Sequence, residues 1–146
     1  EWHVIGMFAP SFFTGSLIQR FGVLNVMLAG ALLMFACVGI AISGTALMNF
    51  WTALVLLGVG WNFLYVGGTT LLTESHSPAE KAKTQGANDF LVFVAMALSS
   101  ITSGALLDQA GWQAMNYWAL PFLAVIAAAI LWLKLQHNRG AGREPA

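Results

Sequence analysis

Five apolar stretches, each close to the length that spans a lipid bilayer, constrain this chain more than any motif in it. They run from about Trp2 to Ile18, Val23 to Ser43, Leu47 to Thr73, Gly86 to Leu107 and Gln113 to Leu135. A hydrocarbon core of roughly 30 Å needs about 20 mostly apolar residues at about 1.5 Å rise per residue. The stretches are too long for barrel strands and lack their period-2 alternation. A helix also satisfies its own backbone in lipid, which an open sheet does not. The expectation is an all-α integral membrane protein with five transmembrane helices over residues 1–137, followed by a disordered cytoplasmic tail at 138–146.

Composition agrees. Only 8% of the 146 residues are charged and 58% are hydrophobic, against roughly 25% charged in soluble domains. A soluble globule of this size could not remove that much apolar surface from water. The net charge is zero, which offers nucleic acid no electrostatic footprint. Cys37 is the single cysteine and has no intrachain disulfide partner. Glu1 is not an initiator methionine, and no basic segment precedes the first apolar stretch, unlike a signal peptide. The chain therefore reads as part of a longer polypeptide.

The connections give the bundle a direction. Arg20 lies in the first, Lys81 and Lys83 in the third, and Lys134, Arg139 and Arg143 at or beyond the end of the fifth stretch. With five spans, all six fall on one side, which the positive-inside bias assigns to the cytoplasm. The N-terminus is then outside and the tail inside. Trp2, Trp51, Trp112 and Trp132 fall near helix ends, where interfacial tryptophans gather. Ser77-Pro78-Ala79-Glu80 has the order of a capping box that starts a short cytoplasmic helix. Pro121 is expected to kink the fifth helix.

Polar groups inside the spans are the informative ones, because lipid makes them costly without partners. Asn62, Tyr65, Thr69 and Thr73 are spaced by three, four and four residues, so they share a helical face, with Trp61 beside it. Gly58, Gly60, Gly67 and Gly68 bracket the group and permit close helix approach. The stripe reads either as the wall of a solute path, with Trp61, Asn62, Tyr65 and Thr69 as contact candidates, or as interhelical hydrogen bonding. Asp89 is the one acidic residue well inside a hydrophobic stretch. It is a candidate gate or proton carrier, or else an anion in the first turn of a helix that begins near Gly86. No catalytic signature occurs, and the three histidines lie at or outside span ends without metal-site spacing. The expectation is no enzyme activity, no cofactor and no metal.

At this point the residues resemble a family. GSLIQRFGVL, Gly15 to Leu24, resembles the GxLxDRxG loop motif of the major facilitator superfamily, with Gly15, Arg20 and Gly22 in place and Gln19 where the aspartate usually stands. SGALLDQAGW, Ser103 to Trp112, is similar to that family's small-residue helix end and extracellular turn. TESHSPAEKAKTQG resembles its connection between helices ten and eleven. The resemblance implies helices eight to twelve of a secondary-active, alternating-access transporter, a partial six-helix half-bundle whose N-terminal half is missing. It implies that Trp61, Asn62, Tyr65 and Thr69 line the cavity and that Asp89 lies near the cytoplasmic gate. The implied partners are a small-molecule solute, the lipid bilayer and the rest of the polypeptide, and the implied location is a bacterial inner membrane. A competing expectation from another class is a small membrane scaffold or subunit without transport activity.

Overall fold

The computed structural model describes residues 2–75, 77 and 80–141. Among these residues every regular element is a helix. They are α1 (Trp2–Phe8), α2 (Ser11–Phe21), α3 (Val23–Ser43), α4 (Leu47–Glu74) and α5 (Lys81–Ala141).

The expected first span is two helices rather than one. Pro10 interrupts it: proline has no N–H and its ring crowds the carbonyl four residues back. The chain turns at Ala9 and Pro10, and α2 restarts with the Pro10 carbonyl accepting from the Phe13 and Thr14 N–H groups, both at 2.8 Å. At the other extreme, α5 is two rods joined end to end. Its backbone leaves helical geometry at Gly111, with φ 81° and ψ 176°, while Pro121 lies inside the helix. A residue with a side chain rarely adopts that positive φ, so the turn is placed by Gly111. We refer to the two parts as the N-terminal arm (81–110) and the C-terminal arm (112–141) of α5. The expected fourth and fifth spans lie on these arms.

By length and composition, three helices among the described residues can cross a membrane: α3, α4 and the stretch Lys81–Arg139 of α5. The chain is an integral membrane protein. α5 continues through Ala141, so residues 138–141 of the expected tail are helical, and 142–146 lie outside the described residues. So do His76, Pro78 and Ala79, and with them the middle of the expected capping box. At its edges, the Ser77 hydroxyl donates to Glu80 Oε2 at 2.7 Å, and the Lys81 N–H donates to the Ser77 carbonyl at 3.1 Å.

α4 is the centre of the bundle, packed by α3 on one side and α1 on another. Small residues allow both approaches. A Cβ added to Gly58 would sit 2.6 Å from the His3 carbonyl oxygen and 2.9 Å from the Gly6 Cα. One added to Gly30 of α3 would sit 3.0 Å from the Gly60 carbonyl oxygen of α4. In lipid, where apolar burial gives little preference for one neighbour over another, such close backbone approach is a principal source of helix association.

α3 ends at Gly44, and Asn49 of the next helix covers its end, donating to the Ser43 hydroxyl at 3.0 Å. The C-terminal arm of α5 then runs antiparallel to α3. Trp112 Nε1 donates to the Ala41 carbonyl at 2.8 Å near one end, and Lys134 Nζ donates to Asn25 Oδ1 at 2.6 Å near the other. Cys37, Ala41 and Ala53 form a small buried cluster, with Trp112 packed against it. The N-terminal arm of α5 is far more open, with Phe90, Phe93, Leu98 and Ile101 all exposed.

Candidate functional site

A cavity of about 430 Å³ opens where the α1–α2 break, the middle of α4 and the N-terminal arm of α5 face one another. This is within the range of small-molecule sites, about 300–1,000 Å³. Its walls are mostly apolar, with Met7 and Phe8 on one side and Val92, Phe93 and Met96 on the other. The polar groups that converge on it are Ser11, Trp61, Asn62, Tyr65 and Asp89.

Trp61 and Tyr65 are one turn apart on α4, which puts their rings on one face. They lie nearly parallel, with centroids 5.8 Å apart and planes 12° from each other. Tyr65 is partly exposed, so the pair presents aromatic surface to the cavity. Its hydroxyl donates to Asp89 Oδ1 at 3.2 Å. The same oxygen accepts from Gln85 Nε2 at 2.9 Å, and Asn88 Nδ2 lies 3.4 Å away. A carboxylate that gathers donors in this way is held in one place, with its charge directed at the cavity wall.

The first-turn reading of Asp89 does not survive. α5 begins at Lys81, and its first turn holds no acidic residue. Asp89 stands more than two turns in, beyond the reach of the helix N-terminal partial charge. Its setting is the Tyr65–Gln85–Asn88 cluster instead.

Asn62 also lines the cavity, but it is 3% exposed and its side chain is fully occupied. Nδ2 donates to the Met7 carbonyl and the Ser11 hydroxyl, each at 2.6 Å, while Oδ1 accepts from the Thr14 hydroxyl at 2.6 Å. Interhelical hydrogen bonds in membranes contribute about 0.6 kcal/mol each on average, so three converging on one side chain form a substantial tie. Thr69 turns its hydroxyl back to the Tyr65 and Val66 carbonyls, both at 3.0 Å. It lines a second cavity of about 310 Å³, towards Met27 and Leu123, that shares Trp61 and Tyr65 with the first. The structure thus brings Trp61, Asn62, Tyr65 and Asp89 together and sets Thr69 to one side.

In the loop motif, Gly22 has φ 84° and its N–H closes α2 on the Ile18 carbonyl at 2.8 Å. That conformation explains the glycine. Arg20 lies 5.4 Å from the Phe21 ring centroid, and a Cβ added to Gly15 would meet nothing within 4 Å. No group of three or more metal-capable side chains occurs among the described residues. Sequence reasoning missed Met7, Phe8 and Ser11 as cavity residues. Pro10, beside a serine within an apolar run, was the available signal.

The sequence pattern of the Major Facilitator Superfamily matches residues 3–146. The chain belongs to this superfamily. It is similar to the riboflavin transporter RfnT of Brucella anthropi, 43% identical over 144 residues that make up 99% of this chain and 36% of that protein. Two uncharacterised members from Bacillus subtilis, YddS and YdeG, are 33% and 29% identical over 89% and 90% of the chain, covering 30% and 31% of their own lengths. The chain therefore spans about a third of the curated superfamily members it matches. No solved structure matches it.

Proposed function

We propose that this chain is the C-terminal part of a secondary-active transporter that moves a small planar aromatic solute across a bacterial inner membrane by alternating access. Riboflavin is the leading candidate solute. The observation that carries this reading is the cavity: a stacked Trp61–Tyr65 pair and a fixed Asp89 carboxylate within mostly apolar walls. The flavin ring system is flat, has a large aromatic face, and carries an imide N–H. A ring of that kind lies against the exposed side of the aromatic pair and directs its donor towards Asp89. The similarity to a protein named a riboflavin transporter supports the same solute.

In this reading the rods form five spans, with α1 and α2 together as the first and the two arms of α5 as the fourth and fifth. They correspond to helices eight to twelve of the superfamily fold, and the other wall of the path comes from the rest of the polypeptide. The contact between Lys134 and Asn25 supports a common side for the start of α3 and the end of α5. Arg20, Lys81, Lys83 and Arg139 join them on the cytoplasmic side, leaving the N-terminus of the chain outside.

The test is growth. The full-length polypeptide, expressed in a riboflavin-auxotrophic bacterium without its own transporter, restores growth at low external riboflavin. Failure to restore growth, with the protein present in the membrane, removes riboflavin as the solute.

A further inference from the structure

The end of α1 at the Pro10 break leaves its last carbonyls without their next-turn donors, and the structure shows where one of them goes. In an unbroken helix the Met7 carbonyl would accept from the Ser11 N–H, four residues on. Here it accepts from the side chain of Asn62, on a different helix, at 2.6 Å. The same amide nitrogen donates to Ser11 Oγ, the first residue after the break, at 2.6 Å. The amide oxygen accepts from Thr14, one turn further along, at 2.6 Å. The Thr14 hydroxyl shares its proton with the Pro10 carbonyl, 2.8 Å away.

One side chain of α4 is therefore bonded to both sides of the interruption. Asn62 and Thr14 are the two buried polar residues of the described chain, at 3% and 0% exposure, so neither trades these bonds for water. The arrangement uses both donors of the amide. Met7, Phe8 and Ser11, the residues beside the break, form one wall of the cavity that Trp61, Tyr65 and Asp89 close from the other sides.

We infer that Asn62 is a positioning residue: it fixes the angle between α1 and α2 at the Pro10 break and thereby sets the cavity wall, rather than reading the solute itself. In many transporters, discontinuous helices build the solute site itself, so the angle at a break sets the shape of the wall beside it. Three converging bonds make this break a defined joint with one preferred setting. Once the tie is cut, α1 pivots about Ala9 and Pro10, and the Met7–Phe8 wall moves with it.

The joint is read directly by distance, independently of what is transported. Spin labels at Val4→Cys and Phe21→Cys, both exposed positions, report the α1–α2 angle in the full-length protein with Cys37 replaced. The parent gives one narrow distance distribution. Asn62→Ala broadens or shifts it, and so does Thr14→Val, which removes the donor to Asn62 without touching the cavity. Thr14→Val carries the test if Asn62→Ala is not recovered folded. In a Pro10→Ala background the Ser11 N–H regains the Met7 carbonyl, so Asn62→Ala there produces no further broadening.

Transport separates positioning from contact. Asn62→Ala raises KM about tenfold in the parent and less than about threefold over Pro10→Ala alone. Unchanged distances in both Asn62→Ala and Thr14→Val, or an equal KM penalty in the two backgrounds, overturns the inference. Loss of riboflavin transport in the unmutated protein would bear on the proposed solute, while the distance measurement would still decide the joint.

Discussion

The Tyr65 hydroxyl on α4 donates to the Asp89 carboxylate on the N-terminal arm of α5 at 3.2 Å, and these two residues join the most open rod of the bundle to its centre. The contact is long for an O–H···O⁻ bond, which prefers about 2.5–2.7 Å. Gln85 makes the shorter contact to the same oxygen, 2.9 Å. The carboxylate is thus held mainly from its own helix and reaches across to Tyr65. Such a link can separate without leaving the charge unpartnered.

Asp89→Asn tests whether this charge takes part in coupling. If Asp89 exchanges a proton during transport, the substitution abolishes uptake driven by a pH gradient and leaves solute counterflow intact. Equal loss of both, with the protein folded, makes Asp89 a solute contact instead.

The aromatic pair separates stacking from hydrogen bonding. Trp61→Ala removes half of a stacked surface and is expected to raise KM for a flavin about tenfold, from the roughly 1–3 kcal/mol that an aromatic platform gives a planar base. Tyr65→Phe keeps the ring and loses only the long bond to Asp89, so its effect stays within about fivefold. A larger effect for Tyr65→Phe than for Trp61→Ala would reverse the assignment. Initial uptake rates over a range of solute concentrations measure both.

Close helix approach predicts a contrast between two glycines. A side chain at Gly58 meets the α1 backbone, with even a Cβ 2.6 Å from the His3 carbonyl oxygen. Gly58→Val therefore destabilises by about 1–3 kcal/mol, read as a lower melting temperature in detergent. Gly39, exposed on α3 with open space around it, behaves oppositely: Gly39→Ala is neutral or stabilises by up to about 1 kcal/mol.

Trp112→Phe isolates one hydrogen bond. It keeps an aromatic edge for Phe50, whose ring centroid lies 5.0 Å from that of Trp112, and deletes the Nε1 donor to Ala41. A loss of about 1 kcal/mol is expected, measured by thermal unfolding. No change would mean that the Nε1 bond to Ala41 adds nothing to the packing of the C-terminal arm, leaving that end to the Phe50 ring contact on α4.

The sequence states where the chain is apolar more clearly than where its helices begin or break. α3 runs from Val23 to Ser43 and α4 from Leu47 to Glu74, close to the apolar runs themselves, because glycine and short polar connections flank both. α5 starts five residues before Gly86 because Lys, Ala and Gln are good helix formers outside lipid. Hydropathy marks the depth of a residue and not its place in a helix, and this is why Asp89 reads as a first-turn residue from sequence. The break at Pro10 is hidden for a related reason: the run around it stays apolar on both sides. Asn62 was legible as an unusual polar residue on the right face of α4. Its partners were not, since Met7, Ser11 and Thr14 lie some fifty positions away and come beside it only once α1 and α2 pack on α4.

In the proposed function the full-length polypeptide carries a planar aromatic solute through the cavity beside Trp61, Tyr65 and Asp89. Its most direct test is uptake of radiolabelled riboflavin into proteoliposomes holding the purified full-length protein, with and without Trp61→Ala. The expected result is saturable uptake that unlabelled riboflavin competes away and that Trp61→Ala weakens about tenfold in KM. Saturable uptake with the same KM in the parent and Trp61→Ala would contradict the site, and no uptake above protein-free liposomes would contradict the solute.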